Sequence, residues 1–238
     1  MPAYKPTVAI IILAAGASVR MGTPKQLLAY RGRSLLRHIT IEAIASVCEP
    51  IVVVLGAYAQ QIRPELNQLP VQVIENLHWN KGMSASIKSG IQWLNPATNN
   101  IEAVVLALCD QPFVSAQIIN QLVVAYHNTG KPIIASEYSG TLGVPALFSH
   151  RFFSELIQLK KAEGAKQIIK KYNHQVYCIG FPEGAIDIDT PNEYEKLKGE
   201  GDISYQLPVT SYQLKEKGKG ELGAPTKWGL GAREKGKG

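Results

Sequence analysis

Cysteine is scarce in this 238-residue chain: Cys48, Cys109 and Cys178 lie far apart and form no CxxC pair. The five histidines make no HExxH and have no cysteine at zinc-ligand spacing. That excludes a structural zinc site and fits a reducing cytoplasm, with Cys109 and Cys178 read as small core residues. No apolar run approaches the ~20 residues a membrane span needs. Lys5 followed by VAIIILAAGAS imitates a signal peptide, yet the run passes straight into a glycine loop, as a first strand does. Two nucleotide fingerprints are missing as well: neither GxxxxGKS/T nor GxGxxG can be read anywhere in the N-terminal glycine loop. The net charge of +6 owes much to the last residues, where Lys215, Lys217, Lys219, Lys227, Arg233, Lys235 and Lys237 cluster. A nucleic-acid groove would instead carry its basic residues on a folded face, often with aromatics between them, so nucleic acid is not an expected partner.

What the chain does contain is a regular alternation. VAIIILA (8–14), IVVVLG (51–56), VQVIE (71–75), AVVLALCD (103–110) and PIIAS (132–136) read as strands. Between them, 34–47, AQQIRPELNQL, 84–94 and 115–128 read as helices, the second broken or started near Pro64. Continuous Val/Ile/Leu strands separated by helices imply a mostly parallel sheet covered on both faces. The expected fold is therefore α/β, doubly wound, in a single domain, with ligands at the carboxyl ends of the strands. After residue 137 the pattern loosens. VPALFS reads as an antiparallel edge strand, HRFFSELIQL and GAKQIIKKY as helices and QVYCIGF as a strand. TPNEYEKLK opens with a capping box of Thr190, Pro191 and Glu193. The expected domain spans 1–198. From Gly199 to 238, SYQL and KGKG each occur twice amid Gly and Lys, which reads as a disordered basic tail.

Four stretches carry chemistry. In LAAGASVRMGTPKQLL (13–28), Gly16 and Gly22 let backbone amides approach phosphate oxygens, and small residues at 14, 15, 17 and 18 keep the loop open. Arg20 offers a planar fork and Lys25 a point charge, so the two can grip different phosphates. The plainer alternative is a glycine-rich turn with two solvated cations. Asp110, ending the fourth strand before Pro112, is either a Mg²⁺ ligand beside bound phosphates or a turn residue. In DIDTP (187–191), strand alternation puts Asp187 and Asp189 on one side, and either could be the second ligand of that ion. In NKGMSASIKSG (80–90), Gly82 leads into a helix start where Ser84 and Ser86 either contact a base or phosphate or, for Ser84, cap the helix.

Together, LAAGxSxRMGxPKxLL, the GMSxSI helix start, LCDQP, GxxGxPALF (140–148), the GAK helix start (164–166) and DIDTP resemble the nucleotidyltransferases of molybdenum cofactor maturation, in particular the cytidylyltransferase branch. The resemblance spans residues 8–197. It implies transfer of CMP from CTP to the terminal phosphate of molybdopterin, with release of pyrophosphate. It further implies that Leu13, Ala14, Ala15, Gly16 and Gly82 hold the base, that Arg20 and Lys25 hold the triphosphate, and that Asp110 and Asp189 hold Mg²⁺. Ala15, in LAAG rather than the LAGG of the guanylyl branch, favours CTP over GTP. Two departures fall in the half expected to meet the acceptor: Lys161 and Ala162 replace a Gly-Asp pair, and Val144 stands where a polar residue is common. A recipient molybdoenzyme is an implied partner. The alternatives are a transferase using GTP or another phosphorylated acceptor, and a molybdenum cofactor chaperone without catalysis.

Overall fold

The computed structural model describes residues 7–94, 100–161 and 163–201. The tail beyond Gly201 and Ala162 lie outside the described residues. Nine strands and seven helices follow one another in these residues. They begin with β1 (Thr7–Ala14), a small hairpin of β2 (Ala29–Tyr30) and β3 (Arg33–Ser34), α1 (Leu35–Ile44), β4 (Ile51–Leu55) and α2 (Ala59–Ile62). Then come β5 (Gln72–Glu75), α3 (Met83–Leu94), β6 (Ile101–Leu108), α4 (Ala116–Thr129), β7 (Ile133–Tyr138) and β8 (Thr141–Ser149). The chain continues through α5 (Phe153–Ile157), α6 (Ala165–Lys171), β9 (Val176–Gly180) and α7 (Pro191–Gly201). Among the described residues no helix is long and apolar enough to cross a membrane.

Seven strands form one sheet in the order β5-β4-β1-β6-β8-β7-β9. All neighbours are parallel except where β8 runs between β6 and β7. The expected doubly wound, mostly parallel α/β fold is what the chain adopts. Strand β1 shows why its run reads as continuous hydrophobe: it is covered on both faces. Val8, Ile10, Ile12 and Ala14 pack with residues of α1, α2 and α4, whereas Ala9, Ile11 and Leu13 pack with residues of α3, α5 and α6. Each fully buried isoleucine here contributes about 1.5–3 kcal/mol of transfer free energy. From β1 the chain goes to β4 on one side, and β6 lies on the other, so a crevice opens at the carboxyl ends of β1 and β6.

Local signals set the helix ends. The Ser34 hydroxyl accepts from the Arg37 amide at the start of α1, and the Ser115 hydroxyl accepts from the Ile118 amide at the start of α4. Gly130, with φ 63°, terminates α4 in the left-handed conformation. Pro64 ends α2 early, and the chain continues as a 3-10 turn over Arg63–Leu66.

Two expectations need correction. VPALFS belongs to an interior strand, with Ala146, Leu147 and Phe148 fully buried between β6 and β7. The proline that suggests an edge is absorbed by a register shift opposite Ala135 and Ser136, where the Ser136 hydroxyl donates to the Pro145 carbonyl. Cys178 is exposed, because β9 is the outer strand of the sheet.

Close helix–sheet packing depends on Gly90, where an added Cβ would stand 2.9 Å from both Cδ1 and Cγ2 of Ile11. Gly90→Ala should lower stability by about 1–3 kcal/mol, read from the urea midpoint. Combined with Ile11→Ala, which removes the clashing atoms, it should cost less than the sum of the two single changes. Strict additivity would place the strain elsewhere.

Candidate active site

The loop after β1 is held by a glutamine. Gln26 is 1% exposed, and its Nε2 donates to the carbonyls of Ala14 and Gly16, both at 2.9 Å. Its Oε1 accepts from the Ser18 hydroxyl, which itself accepts from the Lys25 amide at 3.0 Å. Ser18, at φ 53°, turns the chain, and its carbonyl accepts from the amides of Met21 and Gly22. Met21 then packs with Tyr30, Leu35, Ile188 and Leu197, fastening the loop to the far end of the chain. That last contact draws the DIDTP segment toward the loop.

Beside the loop lies a cavity of about 350 Å³. Its walls include Leu13, Ala14, Ala15, Gly16, Lys25, Gly82 and Asp110 among the residues singled out above, with Gln26, Trp79, Asn80, Met83 and Ser86 completing much of the rest. Gly56 sets the depth behind Ala15: a Cβ there would lie 2.7 Å from the Ala15 carbonyl oxygen and 2.6 Å from Trp79 Cβ. At Gly16, by contrast, a Cβ would meet no protein atom within 4 Å, so what a side chain would fill there is cavity.

The charged groups meet at one point. Lys25 Nζ donates to Asp110 Oδ2 at 2.5 Å and to Asp189 Oδ1 at 2.7 Å, and Arg20 pairs with the other oxygen of Asp189. Burial of Lys25 works against its charge, but the field and hydrogen bond of Asp110 and the hydrogen bond of Asp189 outweigh it and hold its pKa above the ordinary lysine value. Partial burial likewise works against the Asp189 carboxylate, and Lys25 and Arg20 reverse this, holding its pKa below the usual carboxylate range. Asp187 goes the other way: burial, then the charges of Asp189 and Asp110, push it up. Asp110 Oδ1 is buried and has no hydrogen-bond partner. Cys109, behind it, is a buried thiol pushed up to about 12, chiefly by burial, which fits a core role.

The carboxylates are delivered from two directions. Asp110 follows β6, and its carbonyl accepts from the Ile188 amide at 2.9 Å, so the 187–189 segment runs alongside it. That segment belongs to no strand, so the strand alternation expected of it does not apply. The Glu193 carboxylate accepts from the amides of Asp189 and Thr190, closing the expected capping box at the start of α7. Gln111 locks the other flank: its Nε2 donates to the carbonyls of Val144 and Gly184. Neither Gln26 nor Gln111 stood out in the sequence, since a structural glutamine in a polar motif looks like any solvated one.

Two singled-out residues are placed differently. Gly22 does not line the cavity; with φ 76° it serves the turn. Ser84 lies inside the first turn of α3, which begins at Met83, and faces a second depression on the opposite side of that helix.

The chain thus presents a glycine-bordered cavity at the carboxyl ends of two parallel strands, with Lys25 and Asp110 in its wall and Asp189 and Arg20 paired beside them. The sequence pattern of the MobA-like NTP transferase domain matches residues 10–176, and the chain belongs to that family. Over 135 residues it is 36% identical to Nicotine blue oxidoreductase of Paenarthrobacter nicotinovorans, a match covering 56% of this chain and 63% of that one. It is 27% identical to the Molybdenum cofactor cytidylyltransferase of Escherichia coli (strain K12), covering 79% of this chain and 94% of that one. Among solved structures, an Rv0371c homolog from Mycobacterium sp. strain JC1 superposes with a TM-score of 0.71 at 29% identity, covering 82% of this chain and 96% of that one.

Because Asp189 is depressed, its contribution to stability is present above the ordinary carboxylate pKa of about 3.9 and is lost as pH falls through the lower folded value. Asp189→Asn should therefore be less stable than the parent at pH 6–7, and the gap should close as pH drops below about 4. Urea midpoints across that range test it; a gap independent of pH would remove Asp189 from the ion cluster.

Proposed function

We propose that this chain transfers CMP from CTP to the terminal phosphate of molybdopterin, releasing pyrophosphate. The observation that carries the reading is Lys25, held between Asp110 and Asp189 at the mouth of the Ala14–Gly16 cavity. The same identification is supported by the E. coli relative, matched over nearly its whole length.

Leu13, Ala14, Ala15, Gly16 and Gly82 form the base site. The Ala15 methyl narrows it against a purine. Lys25 leaves its carboxylates for the α-phosphate, and Arg20 serves the β- and γ-phosphates. Asp110 and Asp189 are the residues that would hold Mg²⁺, and the unpartnered Oδ1 of Asp110 fits that role. The ion, when bound, supplies charge neutralisation at the phosphates. A phosphate oxygen of the acceptor attacks the α-phosphorus in line; the bond from that phosphorus to the bridging oxygen breaks, and pyrophosphate carries the electron pair away. No side-chain nucleophile is required. The chain's contribution is alignment and positive charge at the phosphates. We place the transferase in residues 1–198, with 199–238 as an appended tail outside the chemistry, in a reducing cytoplasm.

The relative named Nicotine blue oxidoreductase favours a second reading, redox chemistry on a nucleotide-binding scaffold.

Pyrophosphate release by the full chain, with each NTP, Mg²⁺ and molybdenum-loaded molybdopterin, tests the proposal. Release with CTP, reduced by about 100-fold or more in Asp110→Ala, is expected. Ala15→Gly should raise turnover with GTP relative to CTP. Release with GTP alone in the parent would overturn the role of Ala15. Electron transfer from an added reduced dinucleotide to an added dye that is reduced in its place, with no pyrophosphate release, would establish the second reading instead.

A further inference from the structure

The first turns of α3 separate two depressions. Gly82, Met83 and Ser86 face the nucleotide cavity, while Ser84 and Lys88 face a second one of about 220 Å³ on the other side. Its remaining wall comes from Lys81, at the end of the 3-10 turn before α3, from Ile157 and Leu159, and from Lys161. Three lysines thus line it, and no carboxylate does. None of the three is in an ion pair among the described residues. The nearest acid in sequence, Glu163, spends its carboxylate on the Lys160 amide at 2.7 Å, which shapes the turn that carries Lys161.

Ser84 is the second observation. It is only 6% exposed, it lines this depression, and its hydroxyl has no hydrogen-bond partner among the described residues. A hydroxyl that lines the depression with no protein partner, among three unpaired lysines and beside an apolar wall of Ile157 and Leu159, is a donor set for an oxyanion attached to an apolar body.

We propose that this depression binds a phosphate monoester: Lys81, Lys88 and Lys161 neutralise the dianion, Ser84 donates to one of its oxygens, and Ile157 with Leu159 contact the organic part. The proposed nucleotide site uses none of these residues, although Lys161 belongs to the half expected to meet the acceptor, and the binding test needs no turnover. The same chemistry has two sources, the phosphorylated acceptor of the transfer reaction or a separate phosphorylated ligand.

Phenyl phosphate is the probe, titrated calorimetrically into the full chain, with CTP binding measured in parallel. Lys88→Ala/Lys161→Ala should weaken phenyl phosphate by about tenfold and leave CTP within about twofold, the scale expected for two exposed cations. Ser84→Asp, which places a carboxylate against the anion, should abolish phenyl phosphate binding, and Ser84→Ala should weaken it while preserving the fold. Lys25→Ala should show the reverse pattern, losing CTP and keeping phenyl phosphate. If phenyl phosphate binding is lost in Lys25→Ala and unchanged in the double lysine variant, or absent in the parent at millimolar concentration, the site does not exist. In the pyrophosphate assay, a raised acceptor KM in Lys88→Ala/Lys161→Ala with unchanged CTP KM identifies the ligand as the acceptor. Unchanged acceptor KM beside lost phenyl phosphate binding identifies a separate ligand. Failure of the transferase reading leaves the calorimetric result standing.

Discussion

The ion cluster of Lys25, Asp110, Asp189 and Arg20 is the constraint around which the rest of the structure is arranged. Two carboxylates from segments far apart in the chain converge on one largely buried ammonium, and each needs the others. Without Lys25, Asp110 would lose its counter-ion and Asp189 would keep only the exposed Arg20; without the aspartates, burial would pull the lysine pKa down. The surrounding structure can be understood as the means of holding that convergence. Gln26 and Ser18 fix the loop that presents Lys25, the β6 end presents Asp110, and the Ile188 amide bound to the Asp110 carbonyl brings Asp189 alongside.

The sheet explains why the convergence occurs here. Strand β1 is flanked by β4 and β6, with the chain leaving it in one direction and returning on the other side. Only at such a point do neighbouring loops diverge and leave a crevice above the strand ends. Gly56 and Gly90 serve the same end by different means. One lets the backbone behind Ala15 come close, and the other lets α3 lie against Ile11, so that the first turns of α3 form a thin partition with a cavity on each side.

Much of this was legible in the residues. Fully buried strands such as VAIIILA advertise themselves by composition, because a strand covered on both faces has no polar alternation to interrupt it. Lys25, Asp110 and Gly16 were legible too: glycine, cations and a carboxylate at strand ends are unusual where the neighbouring residues are apolar. Less legible were VPALFS, whose proline suggested an edge, and Cys178, whose apolar neighbours suggested a core. Both depend on strand order, which is a long-range property. Gln26 and Gln111 were invisible because their importance lies in carbonyls contributed by distant segments.

The sequence alone determined the element types, the parallel α/β class and the chemical kinds of group placed at the strand ends, since these follow from local periodicity and from residues that only a ligand or a turn would require. Tertiary structure decided which charges meet. It put Lys25 between two aspartates, turned Gly22 to the service of a bend, and sent Ser84 to the opposite side of α3 from the cavity beside the Gly16 loop. Helical rotation of 100° per residue makes that last outcome depend on where the helix begins and which neighbours it packs against, and no local pattern carries that information.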